Sequence, residues 1–235
     1  MNNLKTLGIV GGMGPLATQD FYQKVIELTP ALDDPQHIPV VMVADTQIPL
    51  RIAAWEGRGP SPLPAMLTAA QHCVNAGATV LAMPCNTAHF WFDALAAAQP
   101  QIRWLHIANA AVQAAIDYRP GLRRLGLAGT HVTLAMRLYQ NAAAQLAAPF
   151  VCVEPDAALQ ALISQAIAAV KAGQIAVASA RFQAAIDGFV QQGCDAVMLA
   201  CTELPVIAAQ LKSPVPLIDA THALAQACVR TCKPS

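Results

Sequence analysis

The sequence predicts an α/β protein of two pseudo-symmetric lobes, each a mainly parallel sheet flanked by helices, with the active site between the lobes. Three observations carry that expectation. Short apolar strands alternate with helix-length stretches along the whole chain. A strand followed by a glycine turn and a helix occurs at Leu7–Gly12 and again at Arg123–Thr130. A buried strand running into a cysteine and a small polar residue occurs at Val80–Thr87 and again at Ala196–Thr202. The offset from Gly8 to Cys85 nearly equals that from Gly126 to Cys201, which implies an internal duplication. The lobes are expected at 1–107 plus 216–235 and at 108–215.

The elements follow in order. Leu7–Val10 is a strand, and Gly11–Gly12–Met13–Gly14–Pro15 turns it into a helix over Leu16–Leu28. Proline suits the first helical turn, and glycines let backbone approach a ligand. The run lacks the third glycine of a dinucleotide fingerprint and the lysine of a P-loop. Ile38–Ala44 is a strand, and Asp45–Arg51 and Gly57–Pro64 read as loops. A helix over Ala65–Asn75 ends at Gly77, and Thr79–Met83 is the strand that leads to Cys85. A helix over His89–Ala98, a strand near Trp104–Ile107 and a helix over Ala108–Tyr118 finish the first half. In the second half, one helix is expected over Val132–Leu146 and a strand over Pro149–Val153. Helices then cover Asp156–Val170, with Lys171 in the last turn, and Ala176–Gln192. Asp195–Leu199 leads to Cys201, and a strand over Val215–Ile218 precedes a closing helix over Ala220–Thr231.

Composition narrows the function. Hydrophobic residues make up 55% of the chain and charged residues 12%, with a formal net charge of zero. No basic run is present to hold a nucleic acid, no apolar stretch is long enough to span a bilayer, and near-zero charge favours self-association. The opening Met1–Thr6 runs straight into strand pattern rather than a secretory leader. Seven scattered cysteines, an odd number, point to reduced thiols and a cytoplasmic protein.

A thiol at a strand-to-helix corner stands where open α/β sheets bind ligands, and the positive end of a helix dipole is expected to lower its pKa. Taken singly, such a cysteine is more often a buried structural thiol. Two at mirrored corners suit removal of a proton from one face of a carbon and its return to the other. The carbanion needs donors on the adjacent carboxylate. Asn86, Thr87, Thr202 and Thr130 are the neutral candidates, and Met13 lies in the glycine turn beside them. Arg51 and Lys171 are the cations available for a second carboxylate. Lys171 could equally complement a helix dipole, and Arg51 could be a solvated loop charge.

Gly8–Thr18, Pro84–Cys85–Asn86–Thr87–Ala88–His89 and Cys201–Thr202–Glu203–Leu204–Pro205 resemble the signatures of the aspartate/glutamate racemase family, and within it the aspartate racemase branch. The resemblance covers essentially the whole chain. It implies a homodimeric racemase, independent of pyridoxal phosphate and with neither cofactor nor metal, acting on a small dicarboxylic amino acid. It makes Cys85 and Cys201 the acid/base pair, with Asn86, Thr87, Thr130 and Thr202 on the α-carboxylate. Arg51 and Lys171 would hold the distal carboxylate, Met13 and Glu203 join the expected substrate-binding residues, and Glu203 matches the aspartate branch, where glutamate racemases usually carry histidine. One residue departs from the pattern: Leu50 stands where the family has an Asp before the Arg. Glutamate or broad-specificity racemases, maleate isomerase and arylmalonate decarboxylase are the enzymatic alternatives, and a non-catalytic dicarboxylate-binding protein is the alternative of another class.

Overall fold

The computed structural model describes residues 4–118 and 121–233. Met1–Asn3, in the Met1–Thr6 stretch on which the absence of a secretory leader is expected, lies outside them. The chain divides into two units, Met1–Ile107 with Thr221–Ser235, and Ala108–Ala220.

The first unit contains β1 (Leu7–Gly11), α1 (Pro15–Leu28), β2 (Val40–Ala44), α2 (Arg51–Trp55), α3 (Leu63–Asn75), β3 (Val80–Ala82), α4 (Phe92–Ala98) and β4 (Arg103–Leu105). Its sheet runs in the order β2-β1-β3-β4, and every pair is parallel. Then follow α5 (Ile107–Tyr118), β5 (Arg124–Gly129), α6 (His131–Ala135), α7 (Leu138–Gln145), β6 (Val151–Val153), α8 (Ala157–Lys171), α9 (Ile175–Gln191), β7 (Ala196–Ala200), β8 (Leu217–Asp219) and α10 (Ala220–Cys232). The second sheet runs β6-β5-β7-β8, again parallel throughout. The expected duplication is therefore a repeat of strand order as well as of sequence. Among the described residues no helix is long and apolar enough to cross a membrane.

In both units the central strand carries a glycine for the same physical reason. A Cβ on Gly8 would stand 2.8 Å from the Cys73 Cβ of α3, and one on Gly126 2.7 Å from the Phe189 ring of α9. Both distances are below van der Waals contact, so each glycine admits the helix that covers its sheet. Phe182, Phe189, Ile163 and Val197 fill the second core, and Met66, Ala70, Leu81 and Met83 fill the first. Three long helices stop where the sequence suggests: Gly77, Gly173 and Gly193 follow α3, α8 and α9 with φ of 96°, 72° and 73°.

Several boundaries differ from expectation. The second unit extends through Ala220, because β8 pairs with β7 in register from Val197↔Leu217 to Leu199↔Asp219, so 216–220 do not join the first unit. The helix expected over Val132–Leu146 is two helices, broken where Arg137 adopts φ 53°. The loop expected at Asp45–Arg51 ends in the short helix α2. After each cysteine comes a 3-10 helix, Thr87–Trp91 and Leu204–Gln210, rather than an α-helix.

Gly12, at the β1 turn, has φ 90° and its absent Cβ would lie 2.3 Å from the Asp45 carbonyl oxygen. Gly77 has φ 96° but open space around it. Gly12→Ala is expected to cost about 3 kcal/mol or more, since strain and overlap combine. Gly77→Ala should cost about 1–2 kcal/mol from strain alone. Urea unfolding of the two variants checks the difference.

Candidate active site

In the first unit, β3 delivers the chain to Cys85 through a tight turn in which the Cys85 N–H donates to the Met83 carbonyl at 2.8 Å. Pro84, at the centre of that turn, has no N–H to leave unsatisfied. Cys85, Asn86 and Thr87 are all buried. The corner is latched by His89. Its Nε2 accepts the Ile107 N–H at 3.1 Å, so the ring proton sits on Nδ1, which donates to the Cys85 carbonyl at 2.8 Å. The imidazole stacks on Phe92 and meets His106 edge-on at 4.7 Å. Burial, and then the neighbouring His106, lower its pKa to about 3. Burial also lowers His106, to about 4, with Asp93 opposing. The sequence suggests surface or packing for His89; the structure makes it a packing residue tied to the backbone of the candidate acid/base cysteine.

The glycine turn adjoins this corner in sequence order of the sheet. The Gly12 N–H donates to Thr18 Oγ1 at 2.9 Å, while the side chain of Met13 is buried in the core with Cys85 and Met66. Arg51 opens α2 and is half-buried. Its Nη1 donates to the carbonyls of Ile48 and Pro49, at 3.1 and 3.0 Å. Leu50, 71% exposed, offers it no polar contact, so backbone carbonyls orient the guanidinium where the family pattern has a carboxylate.

In the second unit Cys201 follows β7 directly, and its chemistry is set by two neighbours. Its Sγ donates to Glu203 Oε2 at 3.0 Å, and Lys171 Nζ, at the end of α8, lies 3.4 Å from Glu203 Oε1. Cys201 and Glu203 are buried, whereas the Lys171 side chain is half exposed. Burial, and then the Glu203 charge, push the Cys201 thiol well above its ordinary range; Lys171 pulls the other way. This overturns the expectation that a helix dipole lowers it: the following 3-10 turn is short, and the nearest charge is a carboxylate. Glu203, expected among the substrate-binding residues, is here the partner of the thiol. Thr202 is buried beside them. Thr130 caps α6, accepting the Thr133 N–H at 3.1 Å. Burial, and then the charges of Cys201 and Asp219, push the hydroxyl of Tyr139, on α7 and 1% exposed, well above its ordinary range. No motif in the sequence marks it, because its proximity to Cys201 arises only when β5 and β7 pair. Among the described residues no group of three or more His, Cys, Asp or Glu side chains could hold a metal ion.

The chain as a whole is similar to known proteins. The sequence model described as Asp/Glu/Hydantoin racemase matches residues 10–228. The chain is 26% identical over 229 residues to the broad specificity amino-acid racemase RacX of Bacillus subtilis (strain 168), a match spanning 96% of this chain and 97% of that one. It superposes on Picrophilus torridus aspartate racemase with a TM-score of 0.84 at 29% identity, over 97% of this chain and 94% of that one. Its fold is shared with glutamate racemase isoform RacE1 from Bacillus anthracis, at a TM-score of 0.69 and 17% identity, over 99% and 83% of the two chains.

The His89 latch makes acid stability a readout of the first corner. His89 is neutral in the folded protein and takes up a proton on unfolding at any pH between about 3 and 6.5. Its contribution is present in full above 6.5 and is lost progressively as the pH falls toward the folded value. Urea unfolding should therefore show stability level near pH 7.5 and falling below 6.5, by up to about 1.4 kcal/mol per pH unit from this group. His89→Gln should be less stable at neutral pH but show a flatter acid slope.

Proposed function

The chain belongs to the Asp/Glu/hydantoin racemase family, and from that premise we propose that it racemises an acidic amino acid, aspartate first, by proton transfer between Cys85 and Cys201 at the α-carbon. One observation carries the reading: each of two sheets of identical strand order has a buried thiol just past the end of its third strand, followed at once by a small polar residue. A single thiol would serve a decarboxylase. A pair serves a reaction in which one group removes the α-proton as thiolate while the other, as thiol, returns one to the opposite face. The structure distinguishes the two corners chemically. In the free protein Cys201 is held as a thiol against Glu203; in turnover each thiol serves as base in one direction and as acid in the other.

The carbanion is stabilised by donors on the α-carboxylate, for which Asn86, Thr87, Thr130 and Thr202 are the proposed groups. Arg51 and Lys171 are proposed for the distal carboxylate. The likeness to an aspartate racemase at 29% identity supports aspartate. The exposed Leu50, and the likeness to a broad-specificity racemase over nearly the whole chain, support a second reading with looser side-chain selection.

In D₂O, L-aspartate should become D-aspartate carrying deuterium at the α-carbon, without added pyridoxal phosphate and without loss of rate after carbonyl reagents. Cys85→Ser and Cys201→Ser should each lower racemisation by at least about 10²–10⁴-fold, the span of a lost acid/base group. Near-normal turnover in either variant excludes the two-thiol mechanism.

Selectivity is tested separately. Arg51→Leu should lower kcat/KM for aspartate by roughly 10²-fold, because a carboxylate loses a charge-assisted partner worth a few kcal/mol. Alanine turnover should change far less. Equal losses on both substrates assign Arg51 to the framework of α2 and favour the broad-specificity reading.

A further inference from the structure

Lys171, Glu203 and Cys201 stand in line within the second unit, ammonium to carboxylate to thiol, at 3.4 and 3.0 Å. The Cys201–Glu203 pair shares one proton and one negative charge. That charge can reside on the carboxylate, with the proton on sulfur, or on sulfur, with the proton on the carboxylate. Among the described residues none donates a hydrogen bond to the buried Oε1 of Glu203, so its charge is answered by the Lys171 ammonium. We propose that Lys171 acts on Cys201 through Glu203: the ammonium keeps the shared proton on sulfur in the free protein, and its withdrawal passes that proton to the carboxylate.

The proposal rests on Cys201 being an acid/base thiol and goes beyond it by giving Lys171 a positioning role for a proton. The step balances. The S–H bond breaks, an O–H bond forms on Glu203, and the pair keeps a single negative charge, now on sulfur. A buried carboxylate oxygen that loses its counter-ion and has no hydrogen bond favours the protonated form. The Lys171 side chain is 50% exposed, so an anion can reach it from solvent. The distal carboxylate of a dicarboxylic substrate is such an anion. Drawing the ammonium off Glu203 would make Cys201 a thiolate when a substrate of the right charge is bound. Among the described residues, the charge on the thiol also bears on the hydroxyl of Tyr139 of α7, which burial first of all keeps protonated.

The test needs no turnover, so it stands or falls apart from the racemase assignment. Substrate-free protein is alkylated with iodoacetamide near neutral pH, and the rate at Cys201 is read by peptide mass spectrometry, which separates it from the other six thiols. Lys171→Met should alkylate roughly three- to tenfold faster than wild type, a coupling within the range of contacting charged groups, and Lys171→Arg should stay close to wild type. In a Glu203→Gln background the same Lys171→Met change should slow alkylation or leave it unaltered, because only direct loss of a positive charge beside the thiolate remains. A slowing in both backgrounds, or no effect in either, overturns the proposal. Should Glu203→Gln fail to fold, the infrared spectrum of Lys171→Met decides. A carboxylic-acid C=O band absent from wild type supports the relay, and its absence from the variant overturns it.

Discussion

Parallel register between the first and third strands of each sheet is the constraint on which the rest of this structure depends. β1 pairs with β3 from Leu7↔Val80 to Ile9↔Ala82, and β5 pairs with β7 from Leu125↔Ala196 to Gly129↔Ala200. These pairings fix where each cysteine leaves its sheet. They also bring the turn after the central strand, Gly12 in one unit and Thr130 in the other, to the same carboxyl edge as the cysteine. A one-residue slip would turn every side chain of the strand to the opposite face. The glycines at Gly8 and Gly126 protect the register indirectly, since they let α3 and α9 lie close enough to seal the strands they cover.

The duplication is a duplication of framework and not of chemistry. Cys201 follows its strand at once, whereas Cys85 comes three residues later, past the Pro84 turn. The first corner is braced by a neutral imidazole bonded on both nitrogens. The second is braced by an ion pair that ends on the thiol itself. One corner therefore carries its polarity in fixed backbone groups and the other in mobile charge. The proposed two-thiol reaction needs the thiols to differ in protonation at any instant, and different environments on a shared framework would provide that difference without breaking the symmetry of the fold.

Burial explains why these charges matter. A carboxylate 5% exposed cannot be screened by water as a surface group is, so a single ammonium at 3.4 Å carries weight that an exposed pair would lack. The Arg58–Glu56 pair, whose Arg58 side chain is 68% exposed, is the contrasting case in the same chain and contributes little beyond local order.

The sequence by itself determined the fold class, the duplication and the two cysteine corners, because each is written locally. Strand runs are apolar, Gly77, Gly173 and Gly193 mark helix ends, and the small polar residues stand next to their cysteines. It also marked Arg51 and Lys171 as the cations of interest. Tertiary structure decided what those groups do. Glu203 turns to Cys201 and takes Lys171 as its partner, a contact between the end of α8 and the residues after β7 that no local spacing encodes. His89 becomes a latch only once β4 and the start of α5 place Ile107 against its ring. The boundary at Ala220 rather than 215 came from strand pairing, and the break at Arg137 from the turn between α6 and α7. Residue types set which chemistry was available; burial and long-range pairing, which depend on the whole chain, set the charge each group carries and the neighbour it answers to.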